Sequence, residues 1–385
     1  NLKIQIGITL VALVITIIIL LILATISIQS LTNTGLFKNA QKAKDETQNA
    51  AENQAKTLNE YEDELNKYIS GIAKEPFKGK TVADAIQYAD VLNKNDNTEL
   101  QDAYGNKIVV PAGFKIVSND DTSKATTVDR GIVIEDATVD SNGKATPTNG
   151  SQFVWIPVGK IYTDTSKTES SAKTIELNRY TFDTNGNPTP QGENILETYF
   201  SEASSKGNTI AKNITNFKNS VASNGGYYIG RYEARKNTNG TITEVGTDTV
   251  WNNITQPSAA TQAQNMYNST KVTSDLMNSY AWDTATLFLQ TCGTNNKYSR
   301  QNSLNTGSVA QIGTTEDKQC NVYDMASNVI EWTTETSDGS DLPCVFRGGS
   351  YISSRYCTSG RFSYGTSHSN DNLGFRPLLY VGLNS

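Results

Sequence analysis

Asn321-Val-Tyr-Asp-Met-Ala-Ser-Asn-Val-Ile-Glu-Trp-Thr333 is the stretch on which the reading of the fold turns, because it stands within an ordered series of segments. Downstream come Arg347-Gly-Gly-Ser-Tyr351 and Gly374-Phe-Arg376. Upstream, Ser279-Tyr-Ala-Trp-Asp-Thr-Ala-Thr-Leu-Phe-Leu-Gln290 reads as a helix. Gly226-Tyr-Tyr-Ile-Gly-Arg-Tyr-Glu233 reads as an alternating strand, and Phe153-Val-Trp-Ile-Pro157 as a β-run ended by proline. Further upstream, Lys107–Val117 and Gly131–Glu135 read as strands, and Thr81–Leu92 as a short helix with Val82, Ala85, Ile86 and Ala89 on it. Asp136–Gly150 carries turn chemistry and reads as a loop.

The other end of the chain is different in kind. Ile8 to Ile28 is a run of 21 residues without a charge. At about 1.5 Å per residue, a helix of that length covers roughly the 30 Å of a bilayer's hydrocarbon core. It is too long for the apolar core of a signal peptide, and no small-residue cleavage site follows it. Such a helix stays in a membrane or packs against copies of itself. Thr32-Asn33-Thr34-Gly35 then marks a kink, and Phe37 to Ile69 resumes a helical pattern, with Leu58, Tyr61, Leu65 and Tyr68 on one stripe. Glu75-Pro76 ends it. The expected organisation is a helix over 1–70 (hydrophobic 8–28, amphipathic 37–69), a small α/β connecting region over 71–150, and a head over 151–385.

Composition narrows the function. Lys plus Arg number 33 and Asp plus Glu 39, a net charge of −6, so a nucleic-acid surface is disfavoured. Only 19% of residues are charged, and the loops are rich in Asn, Thr, Ser and Gly, as in exported proteins. The single histidine, His368, argues against a Ser-His-Asp triad or His-based metal catalysis. No phosphate loop, nucleophile elbow or paired catalytic carboxylate stands out. Cys292, Cys320, Cys344 and Cys357 all lie in the last quarter. An even count in an exported chain reads as two disulfides with three connectivities open, and no C-x2-C spacing supports zinc.

From Gln152 onward, over about 230 residues, the ordered segments resemble the formylglycine-generating-enzyme (sulfatase-modifying factor) family. The resemblance implies a loop-rich head with a variant of the C-type-lectin fold, and with the long N-terminal hydrophobic helix the expected fold class is α+β. Enzymes of that family hold copper with two cysteines after the Arg-Gly-Gly-Ser segment, thiolates that suit soft Cu(I). Here Cys357 falls at the second place and Ser353 near the first, so neither copper nor oxidase activity is expected. The pairs favoured are Cys344 with Cys357 and Cys292 with Cys320. A structural Ca2+ is implied, held by carbonyls of Asp324, Ser327 and Val329 and by the Glu331 carboxylate. The alternative is that Glu331 pairs with Arg347 or Arg376. Trp332 is expected in the core. Tyr351 to Asn372 would line the ligand face, with Tyr351, Tyr356, Arg361, Tyr364 and Asn370 the expected contacts, since Tyr and Arg among adaptable Ser and Asn make binding surfaces.

Lys3, Gly7 and the Gly-Ile-Thr-Leu-Val-Ala-Leu-Val that opens the apolar run resemble the type IV prepilin signature. Two positions depart from it: Ile8 where the family has Phe or Met, and Ala12 where most pilins carry the Glu that registers subunits. The resemblance implies a filament core of Ile8, Leu10, Ala12, Leu13, Ile15, Ile17, Leu20, Leu23, Ala24 and Ile28, with Ala12, Ala24 and Ser27 allowing close approach. The expected protein is thus a structural subunit of an extracellular filament. It would sit in the membrane before assembly, polymerise with itself and display a catalytically silent head that binds a surface glycan or protein by avidity. The alternatives are a monomeric membrane-anchored binding protein and a minor pseudopilin of a secretion system.

Overall fold

The computed structural model describes residues 12–22, most residues between 42 and 57, 81–87 and, with breaks, 95–382. They divide into two compact units, Asn1–Glu75 and Pro76–Ser385. In the first unit, residues 12–22 are helical and every one is exposed. The Thr16 hydroxyl is turned back onto the Ala12 carbonyl at 2.7 Å, so the helix carries no free polar group there. Ala12, Leu13, Ile15, Ile17 and Leu20 of the expected filament core lie on this helix. Ile8, Leu10, Leu23, Ala24 and Ile28 lie outside the described residues, as do Leu58, Tyr61, Leu65 and Tyr68. A helix as long as the apolar run is therefore not among the described elements.

Two sheets build the second unit. The larger has six strands, all paired antiparallel, in the order Val272–Leu276, Pro377–Val381, Gly226–Gly230, Ala145–Pro157, Val133–Val139 and Phe114–Ile116. Gly226–Gly230 lies inside it and is buried along its whole length. Its alternation sends Tyr227 and Tyr228 to opposite faces. Tyr227 meets Phe217 edge-on at 5.3 Å and donates to the Ala281 carbonyl at 2.6 Å, so the helices Ile214–Asn224 and Ser279–Cys292 cover its face. Tyr228 packs on Trp155 and donates to Val109 O, in a hairpin on the other face. Gly226 is required here, because a Cβ would lie 2.4 Å from the Trp155 ring. Both helices start at an asparagine cap: Asn213 accepts from Asn216 N and Asn278 from Ala281 N, each at 2.9 Å.

The smaller sheet runs Phe200–Ser201, Ile330–Ser337, Cys344–Arg347 and Arg361–Tyr364, and Leu373–Phe375 pairs parallel with Ile330–Ser337. Trp332 is buried in its core, its indole N–H donating to Ile254 O at 2.8 Å. One hairpin design occurs twice. In Asp102-Ala-Tyr-Gly-Asn106 and Asp183-Thr-Asn-Gly-Asn187, one oxygen of the aspartate accepts the amides two and four residues on, and the other accepts the Asn side chain. The glycine in each adopts a left-handed φ, +79° and +84°.

Three expectations need correction. The boundary at residue 150 is not one: Ala145–Pro157 runs through it, and Phe114–Ile116 and Val133–Val139 belong to the main sheet. The stretch 136–150 is largely strand rather than loop, since Ala137, Thr138 and Val139 pair with Pro147, Thr146 and Ala145. Tertiary pairing outweighs its turn-prone composition. Lys107–Val117 is two strands, Lys107–Val110 and Phe114–Ile116, broken at Pro111-Ala-Gly113, where Gly113 has φ +82°.

Candidate functional site

The Arg347-Gly-Gly turn is seated on the 321–333 segment by contacts that only glycine permits. A Cβ on Gly349 would lie 1.9 Å from the Ala326 carbonyl oxygen, and one on Gly348 2.7 Å from that of Met325. Asp324 and Asn328 hold left-handed backbones, φ +66° and +55°. Asn328 turns its side chain to Glu233 (2.5 Å), and the Val329 amide donates to the other oxygen of that carboxylate at 3.0 Å. Glu233, the last residue of the Gly226–Glu233 motif, thus closes the segment.

Two buried ion networks stand behind this turn. Arg347 meets Asp283 at 2.6 Å and Glu335 at 3.6 Å, and Arg361 pairs with the same two carboxylates. Two cations and two anions balance. Arg361 was expected on the ligand face; instead its side chain is 9% exposed and points inward. Strand alternation is the reason, for Phe362 and Tyr364 take the opposite face from Arg361. Tyr351 is likewise no surface contact, being buried against Tyr232, Tyr323 and Val329.

In the second network Arg376 grips Glu331 with two nitrogens, at 2.7 and 3.2 Å, and donates to the carbonyls of Gly230 and Tyr323. Around it lie Glu233, Asp324 and Asp317. Burial pushes Glu331 up to about 7 and Asp324 to about 6, and Glu233 is raised well above the usual carboxylate range by burial and then by Asp324 and Glu331. Of the groups expected to hold calcium, the Glu331 carboxylate is engaged through both oxygens by Arg376, the alternative that the sequence left open. Among the described residues no group of three or more His, Cys, Asp or Glu is placed to hold a metal.

All four cysteines are free thiols in the structure, so neither expected pair is closed in it. Cys344 lies in the core around Trp332 and Phe346, whereas Cys357 bridges to Asn302 and lies 3.8 Å from the Ser359 hydroxyl. Ser353 accepts the Arg355 amide, so the turn after Arg347-Gly-Gly-Ser carries one thiol.

The expected face does bring Tyr356 and Tyr364 together. Phe346 stacks on Phe362 at 5.7 Å and on Tyr364 at 4.9 Å, both at 22°. Tyr356 closes edge-on against Phe362 at 5.0 Å, and His368 stacks on Tyr364 at 3.9 Å. Tyr356, Phe362, Tyr364 and His368 are all half-exposed, on the edge strand and the loops beside it. The result is a ledge of aromatic faces, beneath which His368 Nε2 is buried without a hydrogen-bond partner. Asn370 is exposed to one side, its carbonyl accepting the Asn253 and Leu373 amides. Period-2 counting from Phe362 would have found Tyr364 and rejected Arg361; the stacking of His368 had no sequence signal.

The head is therefore a mixed α/β, strand-rich domain with an aromatic ledge over a buried charge network. Residues 251–379, about a third of the chain, match the Sulfatase-modifying factor enzyme 1-like domain family. No curated protein matches the chain. Among solved structures it is similar to the Major Tropism Determinant M1 variant (14% identity, 80% of this chain and 100% of that one, TM-score 0.28). It is also similar to Treponema denticola variable protein 1 (13% identity, 60% and 97%, TM-score 0.33) and to CarF (14% identity, 40% and 86%, TM-score 0.30).

Proposed function

We propose that the chain is a subunit of an extracellular filament, pilin-like at its N-terminus, whose C-type-lectin-like head is catalytically silent and binds surface ligands through the aromatic ledge. The observation that carries the reading is the helix at 12–22. Nine large apolar side chains, from Leu13 to Ile22, are between 38% and 63% exposed and lie on every side of it. A helix apolar all round is stable only when lipid or protein surrounds it. No helix among the described residues is long and apolar enough to cross a membrane. Copies of the same helix would cover it in a fibre, where van der Waals packing replaces lipid contact. Many displayed heads would then convert a weak contact at each ledge into avid attachment. The ring faces of Tyr356 and Tyr364 suit the flat apolar face of a sugar ring or a planar side chain.

Electron microscopy of material sheared from native cells, with mass analysis of the subunit, tests this. Fibres with an axial bundle of helices and heads outside support it. Discrete detergent particles with no fibres at any concentration overturn it in favour of a monomeric anchored binding protein, and short capped assemblies in favour of a pseudopilin.

A further inference from the structure

A cavity of about 410 Å3 opens beside the C-terminal end of the helix Ser279–Cys292, and both Cys292 and Cys320 line it. A clasp ties the segment that follows Cys292 to the residue that precedes Cys320. Gln319, next to Cys320, accepts with Oε1 from the Thr294 amide at 2.8 Å and from the Asn295 amide at 3.4 Å. The clasp needs Gly293, since a Cβ there would fall 2.3 Å from the same Oε1. Cys320 is fixed from its other side as well. It and Asn321 take successive left-handed conformations, φ +43° and +64°. The Asn321 side chain donates to Gly131 O at 2.8 Å, and Cys320 Sγ contacts Asp129 O at 3.5 Å. A non-glycine residue holding positive φ costs of order 1–3 kcal/mol, and Cys320 keeps one in the wall of a cavity that also holds a second thiol.

We infer that Cys292 and Cys320 form a latent disulfide site, open to small disulfide oxidants through the cavity they share, whose closure staples the helix end to the Cys320-Asn321 turn. The oxidant is a low-molecular-weight disulfide, and Arg130 and Lys318 in the cavity lining suit an anionic one such as oxidised glutathione. The Cys292 thiolate attacks one sulfur of the small disulfide and expels one small thiolate, leaving a mixed disulfide. Cys320 sulfur then attacks Cys292 sulfur and expels the second. Two protein thiols lose two protons and two electrons; the small disulfide gains both and leaves as two thiols. Burial pushes Cys292 up to about 12 and Cys320 higher still, so Cys292 is the first to ionise. At neutral pH the thiolate fraction is small and closure is slow; its rate rises tenfold for each pH unit. Cys344 and Cys357 do not line this cavity and serve as internal controls.

The test is direct. The full chain in detergent is incubated with oxidised glutathione at pH 7 and pH 9, unfolded, alkylated and mapped by mass spectrometry without reduction. Two of the four thiols should escape alkylation, with one peptide linking Cys292 to Cys320, forming about 100-fold faster at pH 9. Four alkylated thiols after prolonged exposure at pH 9 would overturn the inference, as would a link between any other pair. Cys292→Ser should leave Cys320 without an internal partner, so the linked peptide is lost while the state of Cys344 and Cys357 is unchanged. Because mapping is done first on the native sequence, a variant that fails to fold does not blunt the test.

Discussion

Arg376 lies where the chain passes from the parallel strand Leu373–Phe375 into the main-sheet strand Pro377–Val381, and its fully buried guanidinium ties the two sheets together. Glu331 faces it from one sheet, and the Gly230 carbonyl from the other. Removing one partner of a buried pair leaves an uncompensated charge, so Arg376→Ala should destabilise the head by about 3–5 kcal/mol. Chemical unfolding followed by tryptophan fluorescence checks this, and a loss below about 1 kcal/mol would mean that the pair contributes little. Gly349→Ala is the second test. The new methyl meets Ala326 O, so the turn must move, at a cost of about 2 kcal/mol or more. Gly365→Ala, whose Cβ would only reach 3.4 Å from Asp341 O, should change stability by less than about 0.5 kcal/mol.

Among the elements, the edge strand Arg361–Tyr364 does two things at once. Arg361 anchors it to Asp283 and Glu335, while Phe362 and Tyr364 supply the ledge. Tyr364→Ala should therefore lower retention on a glycan array or of whole cells on host surfaces by tenfold or more, at a stability cost of only about 1–2 kcal/mol because the ring is half-exposed. Arg361→Ala should unfold the strand instead, leaving two buried carboxylates short of a cation. If Tyr364→Ala binds as well as the native head, the ledge is not the binding surface. That division was half legible beforehand. The Tyr-, Ser- and Asn-rich composition of 351–372 pointed to a surface, but composition does not say which residue of an alternating pair faces outward. That depends on register, and register was set by Phe346 opposite Phe362.

For the molecule as a whole, the buried acids set the response to pH. Glu202, enclosed with Ser279 and Thr334, is pushed by burial, and secondarily by Glu335, to about 7; burial raises Asp275 to about 6. Both bind a proton more tightly in the folded head than in the unfolded chain. Their contribution is complete below the unfolded values near 4 and is lost as pH rises through 6 and 7. The head should then be more stable at pH 5 than at pH 8, with roughly 3 kcal/mol from Glu202 alone. Urea midpoints at the two pH values decide it, and a higher midpoint at pH 8 would show that these groups are ionised in the folded state.

Local pattern alone was enough to mark the apolar N-terminal segment, the helix at 279–290 and the strand at 226–230, because each rests on periodicity. The glycine that permits close approach is visible as a letter; what it approaches is not. Pairing across long distances in the chain settled the rest. It drew the turn-rich 136–150 segment into a sheet and committed Glu331 to Arg376. It also turned Arg361 inward and placed Cys292 and Cys320 on one cavity wall. Each of those outcomes depends on which distant groups share a low-dielectric interior, where an unpaired charge or amide costs more than any local propensity can offset.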